Sequence, residues 1–242
     1  MDKKNVLVTG ATKGIGLAIA KQLSKYYDVY ICGRSLENLK KVCEENRFKN
    51  YYSIDLSQEG SVEKLFNQLN VDIDILVNNA GVYYYNSIED MSNEEIMNTI
   101  NLNSVTPLKL SKLVIPHMKK KRWGRIINIG SISGVMGEAN ASVYSMTKAS
   151  LIGMTKALAL ELAQDNITVN VINPGWVDTD LINNENLEND FSKQEIIDTI
   201  PQRRFVTPKE IASTVEFLVS NRAKTITGQS INICAGLSVG FW

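Results

Sequence analysis

Hydrophobic and polar positions follow two different periods along the chain, which separate short strands from longer helices. Runs that are apolar nearly throughout predict seven strands, at residues 5–10, 28–33, 51–57, 74–81, 125–131, 167–175 and 230–236. Apolar residues at helical spacing predict helices at residues 16–26, 35–46, 92–121 and 144–163, and one more between the third and fourth strands. Strands without a polar face, each followed by a helix, are typical of a parallel sheet covered on both faces.

The alternation runs along the chain without a linker rich in Pro, Gly or Ser. It predicts a single Rossmann-like, doubly wound α/β domain over residues 1–242, built on a seven-stranded parallel sheet. The one break in composition is the polar, Asn-rich stretch at residues 178–204. A long irregular insertion in a compact domain commonly covers a binding site, so we interpret this stretch as a substrate lid.

The charge of the chain is balanced, with 26 basic and 26 acidic residues among 242. This balance gives no electrostatic basis for binding nucleic acid or an anionic membrane. We interpret the basic run at residues 119–122 as the end of a long helix, where cations complement the helix dipole. The sequence contains no apolar run long enough to span a bilayer and begins without the apolar segment of a signal peptide. We therefore expect a soluble, cytoplasmic protein.

Cysteine and histidine usage gives no indication of a metal site. Cys32, Cys43 and Cys234 lack the spacing of metal ligands, and His117 is the single histidine. An odd number of cysteines in a chain of this size indicates a reduced, intracellular protein. We expect no bound metal.

A glycine-rich turn joins the first strand to the first helix. Glycine lets the backbone turn sharply and approach a ligand closely, and a helix N-terminus offers free N–H groups to a pyrophosphate. A tight packing turn between strand and helix would show the same glycines, but the position at the start of a parallel sheet favours phosphate binding. The residues predicted to form this cradle are Gly10, Thr12, Lys13, Gly14, Ile15 and Gly16.

The end of the second strand indicates which dinucleotide would bind. An NAD site places a carboxylate there for the ribose hydroxyls, whereas this chain has Gly33 followed by Arg34. A guanidinium group suits a 2′-phosphate, and Lys13 could add a second cation. NADP(H) is therefore favoured over NAD(H). Asp55, with Leu56 beside it, ends the third strand where its carboxylate could accept a hydrogen bond from the adenine amine.

Tyr144 and Lys148 lie one helical turn apart on a predicted helix. Such i,i+4 neighbours touch, and as a surface pair they would contribute only ~0.2–0.5 kcal/mol. The alternative is a phenol whose pKa a nearby ammonium lowers, so that it can transfer a proton near neutral pH. The five residues "YSMTK" do not by themselves decide between these two readings.

Six motifs together resemble the short-chain dehydrogenase/reductase family over essentially the whole chain. They are TGATKGIG (9–16), NNAG (78–81), Asn103 in NLNSV, Ser131 in NIGSISG, YSMTK (144–148) and NPGWVDT (173–179). The resemblance implies a Rossmann-like oxidoreductase that uses a nicotinamide dinucleotide. It also favours the second reading of Tyr144 and Lys148.

The resemblance implies a catalytic tetrad of Asn103, Ser131, Tyr144 and Lys148. In such a site Ser131 would polarise the substrate carbonyl and Tyr144 would donate the proton. By the same resemblance, Lys148 would lower the pKa of Tyr144 and bind the nicotinamide ribose, and Asn103 would help to anchor a water chain that resupplies the proton. Asn101 competes for this last position, and spacing from Ser131 favours Asn103.

Two further segments match stretches that contact the cofactor in the family. Asn79, Ala80 and Gly81 would lie along the adenosine ribose, although stabilising the central strand is an equally good interpretation of NNAG. The second segment would fix the nicotinamide carboxamide, and its predicted residues are Pro174, Gly175, Val177 and Thr179.

Within the family, the chain is most similar to bacterial 3-oxoacyl-acyl-carrier-protein reductases. This similarity implies transfer of hydride from NADPH to a β-keto thioester of CoA or acyl-carrier protein, and it places Arg122 at a position that docks the acidic carrier. A second docking arginine is replaced by Asp165, which should weaken attraction to an acidic partner. The usual Asp-Gly-Gly near the end is Cys234-Ala235-Gly236, and Tyr83-Tyr84-Tyr85 could line the substrate pocket or pack under the lid.

Two other functions remain open from the sequence. The enzyme could act on a different carbonyl, such as a sugar, polyol, steroid or specialised-metabolite ketone. The chain could also be an idle NADP-binding sensor or scaffold, although four intact polar groups argue against that. The family resemblance implies a homotetramer or homodimer, and burial of the apolar tail at residues 239–242 against a second subunit would agree with it.

Overall fold

Seven parallel strands form the centre of the computed structural model, which describes residues 3–179 and 192–239. The strands are β1 (Asn5–Thr9), β2 (Asp28–Gly33), β3 (Asn50–Ser53), β4 (Ile75–Asn78), β5 (Gly124–Ile129), β6 (Ile167–Pro174) and β7 (Ser230–Ile233). Every predicted strand is present. The predicted third and fourth strands extend past the observed ends, because the residues after Ser53 and Asn78 leave the sheet and turn towards the cavities described below.

The strand order is β3-β2-β1-β4-β5-β6-β7, and every pairing is parallel. The chain winds outwards from β1 to β3, then returns to the other side of β1 to build the second half. The topology therefore reverses between β1 and β4. In open parallel sheets, the crevice for a ligand forms at the carboxyl ends of the strands at such a reversal. The predicted doubly wound α/β fold is confirmed.

Helices cover both faces of the sheet. They are α1 (Gly14–Leu23), α2 (Leu36–Asn46), α3 (Ser61–Gln68), α4 (Asn93–Ile100), α5 (Thr106–Lys121), α6 (Ser133–Met136), α7 (Ser142–Leu162), α8 (Lys193–Thr199) and α9 (Pro208–Val219). A π-helical turn, Asn101–Val105, joins α4 to α5, so the helix predicted at residues 92–121 is continuous but not regular. The basic run at residues 119–122 ends α5, as predicted.

Alternating strand residues supply two separate cores. Val6 and Val8 on β1 pack towards α1, α2 and α9, whereas Leu7 between them packs towards α3, α5 and α7. The neighbouring strands repeat this division: Val77 faces the first core, and Leu76 the second. Since successive side chains of a strand point to opposite faces, a strand with no polar positions can contribute to both cores.

Part of the predicted lid lies within the described residues. Residues 193–199 of it form α8, which begins with a capping box in which Ser192 and Glu195 satisfy each other's backbone N–H groups. Residues 180–191 lie outside the described residues, and so do residues 240–242 of the apolar tail. The lid and the burial of the tail stay predictions. In the described part of the chain, helices fall short of the length and apolarity needed to cross a membrane.

Replacing Leu76 by Ala should destabilise the fold. Leu76 is 0% exposed on the central strand β4, so its removal leaves a cavity between the sheet and the helices on that face. We expect the free energy of unfolding to fall by ~2–5 kcal/mol, measured by urea denaturation. Leu36→Ala, at a position 58% exposed on α2, is the control and should change it by less than about 1 kcal/mol. Equal losses in the two variants would contradict the assigned core.

Candidate active site

Two adjoining cavities open at the carboxyl ends of the strands. The first, of about 460 Å³, is lined by residues that follow β4, β5 and β6 and by the first turns of α7. The second, of about 420 Å³, lies beside the glycine turn and the ends of β2 and β3. Asn79, Gly81 and Val82 line both cavities, so together they form one continuous groove across the topological reversal.

Ser131 lies in the first cavity, just after the end of β5. Its Oγ accepts a hydrogen bond from the backbone N–H of Ser133 at 3.1 Å and lies 2.9 Å from the Ser133 Oγ, and its hydroxyl acts to lower the pKa of Tyr144. The short helix α6 that follows packs directly on the backbone of α7, because a Cβ on Gly134 would lie 2.6 Å from the backbone carbon of Lys148. This close packing fixes the Ser131 turn against the helix that carries Tyr144 and Lys148.

Tyr144 and Lys148 occupy the first two turns of α7 and both line the first cavity. The Lys148 side chain is 5% exposed, its Nζ donates to the Ile129 carbonyl at 2.8 Å, and it lies 5.5 Å from the centre of the Tyr144 ring. Burial lowers the pKa of Lys148 to about 8, since a low-dielectric environment disfavours the ammonium form.

The pKa of Tyr144 moves in the opposite direction to the one expected from the sequence. Burial raises it to about 12, the hydrogen bond with Ser131 lowers it, and the negative charge of Glu138 raises it further. Desolvation is the largest cause of the shift, and the Lys148 Nζ donates to the Ile129 carbonyl. That Lys148 lowers the pKa of Tyr144 stays a prediction, which burial of the phenol in this arrangement opposes.

The π-helical turn between α4 and α5 carries Asn103. This side chain is 1% exposed; its Oδ1 accepts from the Val82 N–H at 2.9 Å, and its Nδ2 donates to the Val82 carbonyl at 2.8 Å. A Cβ on Gly81 would lie 3.1 Å from Asn103 Oδ1 and 3.6 Å from Lys148 Nζ, so both polar groups meet at Gly81. Asn101 instead lines a separate surface pocket, which supports the choice of Asn103.

Asn79 ties the glycine turn to the end of β4. Its Nδ2 donates to the carbonyls of Thr9 at 2.9 Å and Gly10 at 3.1 Å, while Thr9 Oγ1 accepts from the N–H groups of Asn79 and Ala80, each at 2.9 Å. A Cβ on Gly16 would lie 2.4 Å from Asn79 Nδ2, so this glycine is needed for packing and does not line either cavity. The structural interpretation of NNAG is thus supported alongside the binding one.

The turn has the features of a phosphate cradle. Gly10 has φ +64°, and a Cβ there would lie 2.9 Å from the Ala80 Cα, which only glycine avoids. Lys13 precedes α1 with an extended backbone, and its side chain makes no capping hydrogen bond to the first N–H groups of the helix. The first turn of α1 contains no acidic residue that would repel a phosphate.

The second cavity contains the residues predicted for the adenosine end. Lys13 and Arg34 are exposed along its wall, and Gly10, Thr12, Asp55, Leu56 and Ala80 also line it. Asp55 Oδ1 accepts from the Ser57 N–H at 3.0 Å and the Ser57 hydroxyl at 2.8 Å. The end of β2 offers Gly33 and the Arg34 cation where a ribose-binding carboxylate would lie, so the residues fit a 2′-phosphorylated dinucleotide.

The segment after β6 lies across from the glycine turn. Pro174, Gly175, Val177 and Thr179 line the first cavity together with Ile15. A Cβ on Gly14 would lie 3.4 Å from the Thr179 Cγ2, which brings the two predicted cofactor segments into contact range. A bridge between Val177 and Val206 holds the segment in place. All these positions stay predictions of cofactor contact, but the fold brings them to one groove.

Sequence reasoning missed a partly buried polar cluster in the first cavity. Glu138 accepts a hydrogen bond from the Tyr83 hydroxyl at 2.8 Å and one from the Ser133 hydroxyl at 2.6 Å. The Tyr83 ring lies edge-on to the Tyr144 ring, with centroids 4.9 Å apart. A signal was available, since Glu138 is the one charged residue between Ser131 and Tyr144. Of the three tyrosines, Tyr83 lines this cavity and Tyr84 the other.

Arg122 is not brought to the cavity. It lies before β5, whereas Ser131 follows it, and a six-residue strand separates the two ends by ~20 Å. Asp165 lies at the same amino edge of the sheet, 3.9 Å from the Arg122 guanidinium, and reduces its net positive charge. Cys234 is buried beside Gly175, and the following Ala235 has φ +53°, a conformation that usually favours glycine.

Comparison with known proteins gives the class of the chain. The family model of short chain dehydrogenases matches residues 4–190. The chain therefore belongs to the short-chain dehydrogenase/reductase family of oxidoreductases, in agreement with the resemblance of its motifs.

Two curated relatives are 3-oxoacyl-acyl-carrier-protein reductases named FabG. The chain is 40% identical to that of Buchnera aphidicola subsp. Schizaphis graminum, over 98% of each chain. It is 39% identical to that of Aquifex aeolicus, over 96% of each chain.

Two similar solved structures are of reductases that bind or depend on NADPH. A variant of actinorhodin polyketide ketoreductase with NADPH has a TM-score of 0.90 at 32% identity, covering 99% of this chain and 100% of its own. YwfH, an NADPH-dependent reductase involved in bacilysin biosynthesis, has a TM-score of 0.91 at 29% identity with the same coverage. The sequence-based preference for NADP(H) agrees with both.

Replacing Glu138 by Gln should shift the pH dependence of the reaction. The titratable side chains that act on Tyr144 within the described residues are Tyr83, Glu138 and Lys148. Glu138 raises the pKa of Tyr144, so a neutral amide should lower that pKa. In the alcohol-to-ketone direction Tyr144 must be deprotonated, and the rising limb of the rate profile should therefore move to lower pH. Glu161→Gln, far along α7, should leave the limb unchanged; a limb that stays in place or moves to higher pH in Glu138→Gln would contradict this prediction.

Proposed function

We propose that the protein reduces a ketone to a secondary alcohol with NADPH, and that its substrate is a 3-oxoacyl thioester. The observation that carries this proposal is the meeting of Ser131, Tyr144 and Lys148 in a cavity that continues into the groove beside Arg34. Proton-transfer groups at one end and a cation suited to a 2′-phosphate at the other are what such a reduction needs.

NADPH bound along the groove would supply the hydride. The glycine turn, the α1 N-terminus, Lys13 and Arg34 would hold its phosphates, and the segment after β6 would hold the nicotinamide end. The chain's own task is then to bind the carbonyl oxygen and to deliver a proton to it.

Ser131 and Tyr144 are placed to act on the same oxygen. Both hydroxyls line the first cavity, so a carbonyl oxygen seated between them can accept from Tyr144 and, when the Ser131 proton turns to it from Ser133, from Ser131 as well. As the carbonyl carbon gains hydride, the oxygen becomes negative and is stabilised by these two donors. It then takes the Tyr144 proton, and the O–H bond of the alcohol forms as that of the phenol breaks. Lys148, held by the Ile129 carbonyl, positions a cation beside the resulting phenolate.

The thioester substrate is supported by the relatives. The curated 3-oxoacyl-acyl-carrier-protein reductases resemble the chain over nearly its full length, and much of the first cavity's wall is apolar, including Val82, Met136, Trp176 and Leu237. A second candidate is a free ketone of another class, as in the sequence analysis. The polar cluster around Glu138 favours it, because a plain acyl chain has nothing to donate to a carboxylate.

Carrier-protein docking and subunit assembly are weaker parts of the proposal. Arg122 is partly neutralised by Asp165, so we propose that CoA thioesters are used at least as well as carrier-bound ones. A homotetramer or homodimer is supported by exposed apolar side chains on the two long helices. They are Leu108 on α5 and Met146 and Leu160 on α7.

Acetoacetyl-CoA with NADPH is the assay for this function. The wild-type protein should oxidise NADPH, and Tyr144→Phe should lower kcat by ~10²–10⁴ because the proton donor is lost, with the affinity for NADPH unchanged. Tyr26→Phe, at a tyrosine 55% exposed, is the matched control. Equal, measurable turnover by wild type and Tyr144→Phe would overturn the mechanism. NADPH binding without turnover in either protein would favour an idle NADP-binding protein.

Arg34→Ala should remove the preference for the phosphorylated cofactor. Loss of a charge-assisted contact to the 2′-phosphate should raise KM for NADPH by ~10–100-fold and leave KM for NADH nearly unchanged. Lys40→Ala, an exposed cation on α2, should change neither value. A parallel rise in both KM values for Arg34→Ala would show that the arginine supports the fold of the groove without reading the phosphate.

A further inference from the structure

Glu138 places a carboxylate in the wall of the first cavity without a basic partner among the described residues. The cavity is lined by Glu138 beside Tyr83, Ser133 and Tyr144, and the side chain is half-buried. In the described part of the chain, Lys and Arg nitrogens at ion-pair distance go to other acids. A partly buried carboxylate is costly unless it is hydrogen-bonded.

Two hydroxyls fix the position of this carboxylate. Tyr83 donates to Oε1 at 2.8 Å and Ser133, which is 8% exposed, donates to Oε2 at 2.6 Å. Each carboxylate oxygen has two lone pairs, so each keeps one for a further donor. The site is therefore a rigid acceptor that faces the space where a substrate would lie.

Two hydrogen bonds connect the Glu138 carboxylate, through Ser133, to Ser131, which would hold the substrate carbonyl. Ser133 Oγ is 2.9 Å from Ser131 Oγ, and the Tyr83 ring packs edge-on against Tyr144. A donor within a few bonds of the ketone carbon could thus reach Glu138 while the ketone oxygen lies between Ser131 and Tyr144. A carbonyl or ester oxygen at the same place would be repelled.

We propose that Glu138 is a specificity-determining residue that selects a ketone with a hydroxyl group close to its carbonyl. This inference rests on the proposed ketone reduction and narrows its substrate. The hydroxyl could belong to the acyl chain of a thioester or to a free hydroxy ketone, and the two share the chemistry that Glu138 recognises.

Counting hydroxyl protons connects this recognition to the reaction. Ser133 has one hydroxyl proton, which goes to Glu138, so in the contact between the two serines Ser131 must be the donor. The Ser131 proton then points away from the carbonyl site. A substrate hydroxyl that donates to the remaining lone pair of Oε2 shares this acceptor with Ser133 and weakens its hold on the Ser133 proton, which can then be donated to Ser131. Ser131 is then free to donate to the carbonyl, so the substrate hydroxyl should raise kcat as well as lower KM.

The test compares ketones that differ by one hydroxyl. One pair is 2-butanone and 4-hydroxy-2-butanone; the other is the N-acetylcysteamine thioesters of acetoacetate and 4-hydroxyacetoacetate. We expect kcat/KM of the wild type to be ~10–100-fold higher for the hydroxylated member of at least one pair. A preference in the thioester pair alone identifies a hydroxylated acyl substrate, and one in the free pair alone identifies a small hydroxy ketone.

Variants assign the preference to Glu138. Glu138→Leu should abolish it, Glu138→Gln should reduce it, and Ser133→Ala should keep the KM difference while removing most of the kcat difference. Glu161→Gln is the matched control and should retain the wild-type ratio, since this glutamate is exposed and lies outside the cavity. A wild-type ratio near one in both pairs, or a ratio that Glu138→Leu leaves unchanged, overturns the proposal.

A separate measurement distinguishes this failure from failure of the proposed function. If no ketone in either pair and no acetoacetyl-CoA is reduced, the reductase assignment has failed. Calorimetric titration of the same pairs into wild type and Glu138→Leu, with NADP⁺ present, then reads the selectivity without turnover. If the wild type binds the hydroxylated member more tightly than its partner and Glu138→Leu does not, the inference is supported. If the two members of each pair bind equally well to the wild type, or if Glu138→Leu keeps the wild-type difference, the inference is overturned.

Discussion

The hydrogen bonds between Asn79 and the Thr9–Gly10 backbone are the constraint on which the groove depends. At the topological reversal, β1 and β4 are neighbouring strands. Pairing within the sheet does not by itself fix the distance between the glycine turn that follows β1 and the segment that follows β4. The Asn79 side-chain amide spans this gap by donating to the carbonyls of Thr9 and Gly10. The Thr9 hydroxyl oxygen accepts from the backbone N–H groups of Asn79 and Ala80. These side chains at the reversal therefore set the width of the groove.

The electrostatics of the first cavity depend on burial more than on pairing. Burial shifts the pKa of Tyr144 up and that of Lys148 down, so the neutral phenol is favoured over a phenolate–ammonium pair. The structure thus keeps the proton on Tyr144 until a reacting oxygen needs it. Glu138 strengthens this tendency, because its charge disfavours a second negative group nearby. Substrate selection and proton retention are in this way linked through one carboxylate.

Much of the fold was predictable because the signals are local. The change from continuous apolar runs to helical spacing locates each strand and helix, and the predicted strands differ from the observed ones mainly at their carboxyl ends. The same is true of the motif residues, since Ser131, Tyr144 and Lys148 lie close together in sequence and share one supersecondary unit. Asn103 was assigned from the family resemblance, and the π-helical turn that carries it gave no signal in the hydrophobic pattern.

The remainder depends on contacts between distant parts of the chain. Tyr83 and Glu138 are 55 residues apart in sequence, and only the return of the chain past β4 and β5 brings them together. The pKa of Tyr144 could not be predicted from a Tyr–Lys spacing, because the degree of burial decides its direction. Likewise, Arg122 follows a helix and precedes a strand, and the sheet direction then places it at the edge away from the cavity.

The π-helical turn at Asn101–Val105 has a consequence for how this chain can change. An α-helix turns by about 100° per residue, so a π-helical turn, which holds more residues per turn, changes the face that α5 presents relative to α4. Loss of one residue from this turn would restore a regular helix, but it would also rotate Asn103 away from Val82 or swing the apolar side of α5 off the sheet. The number of residues in this turn is thus constrained together with their identity, because both decide where Asn103 and the apolar side of α5 lie.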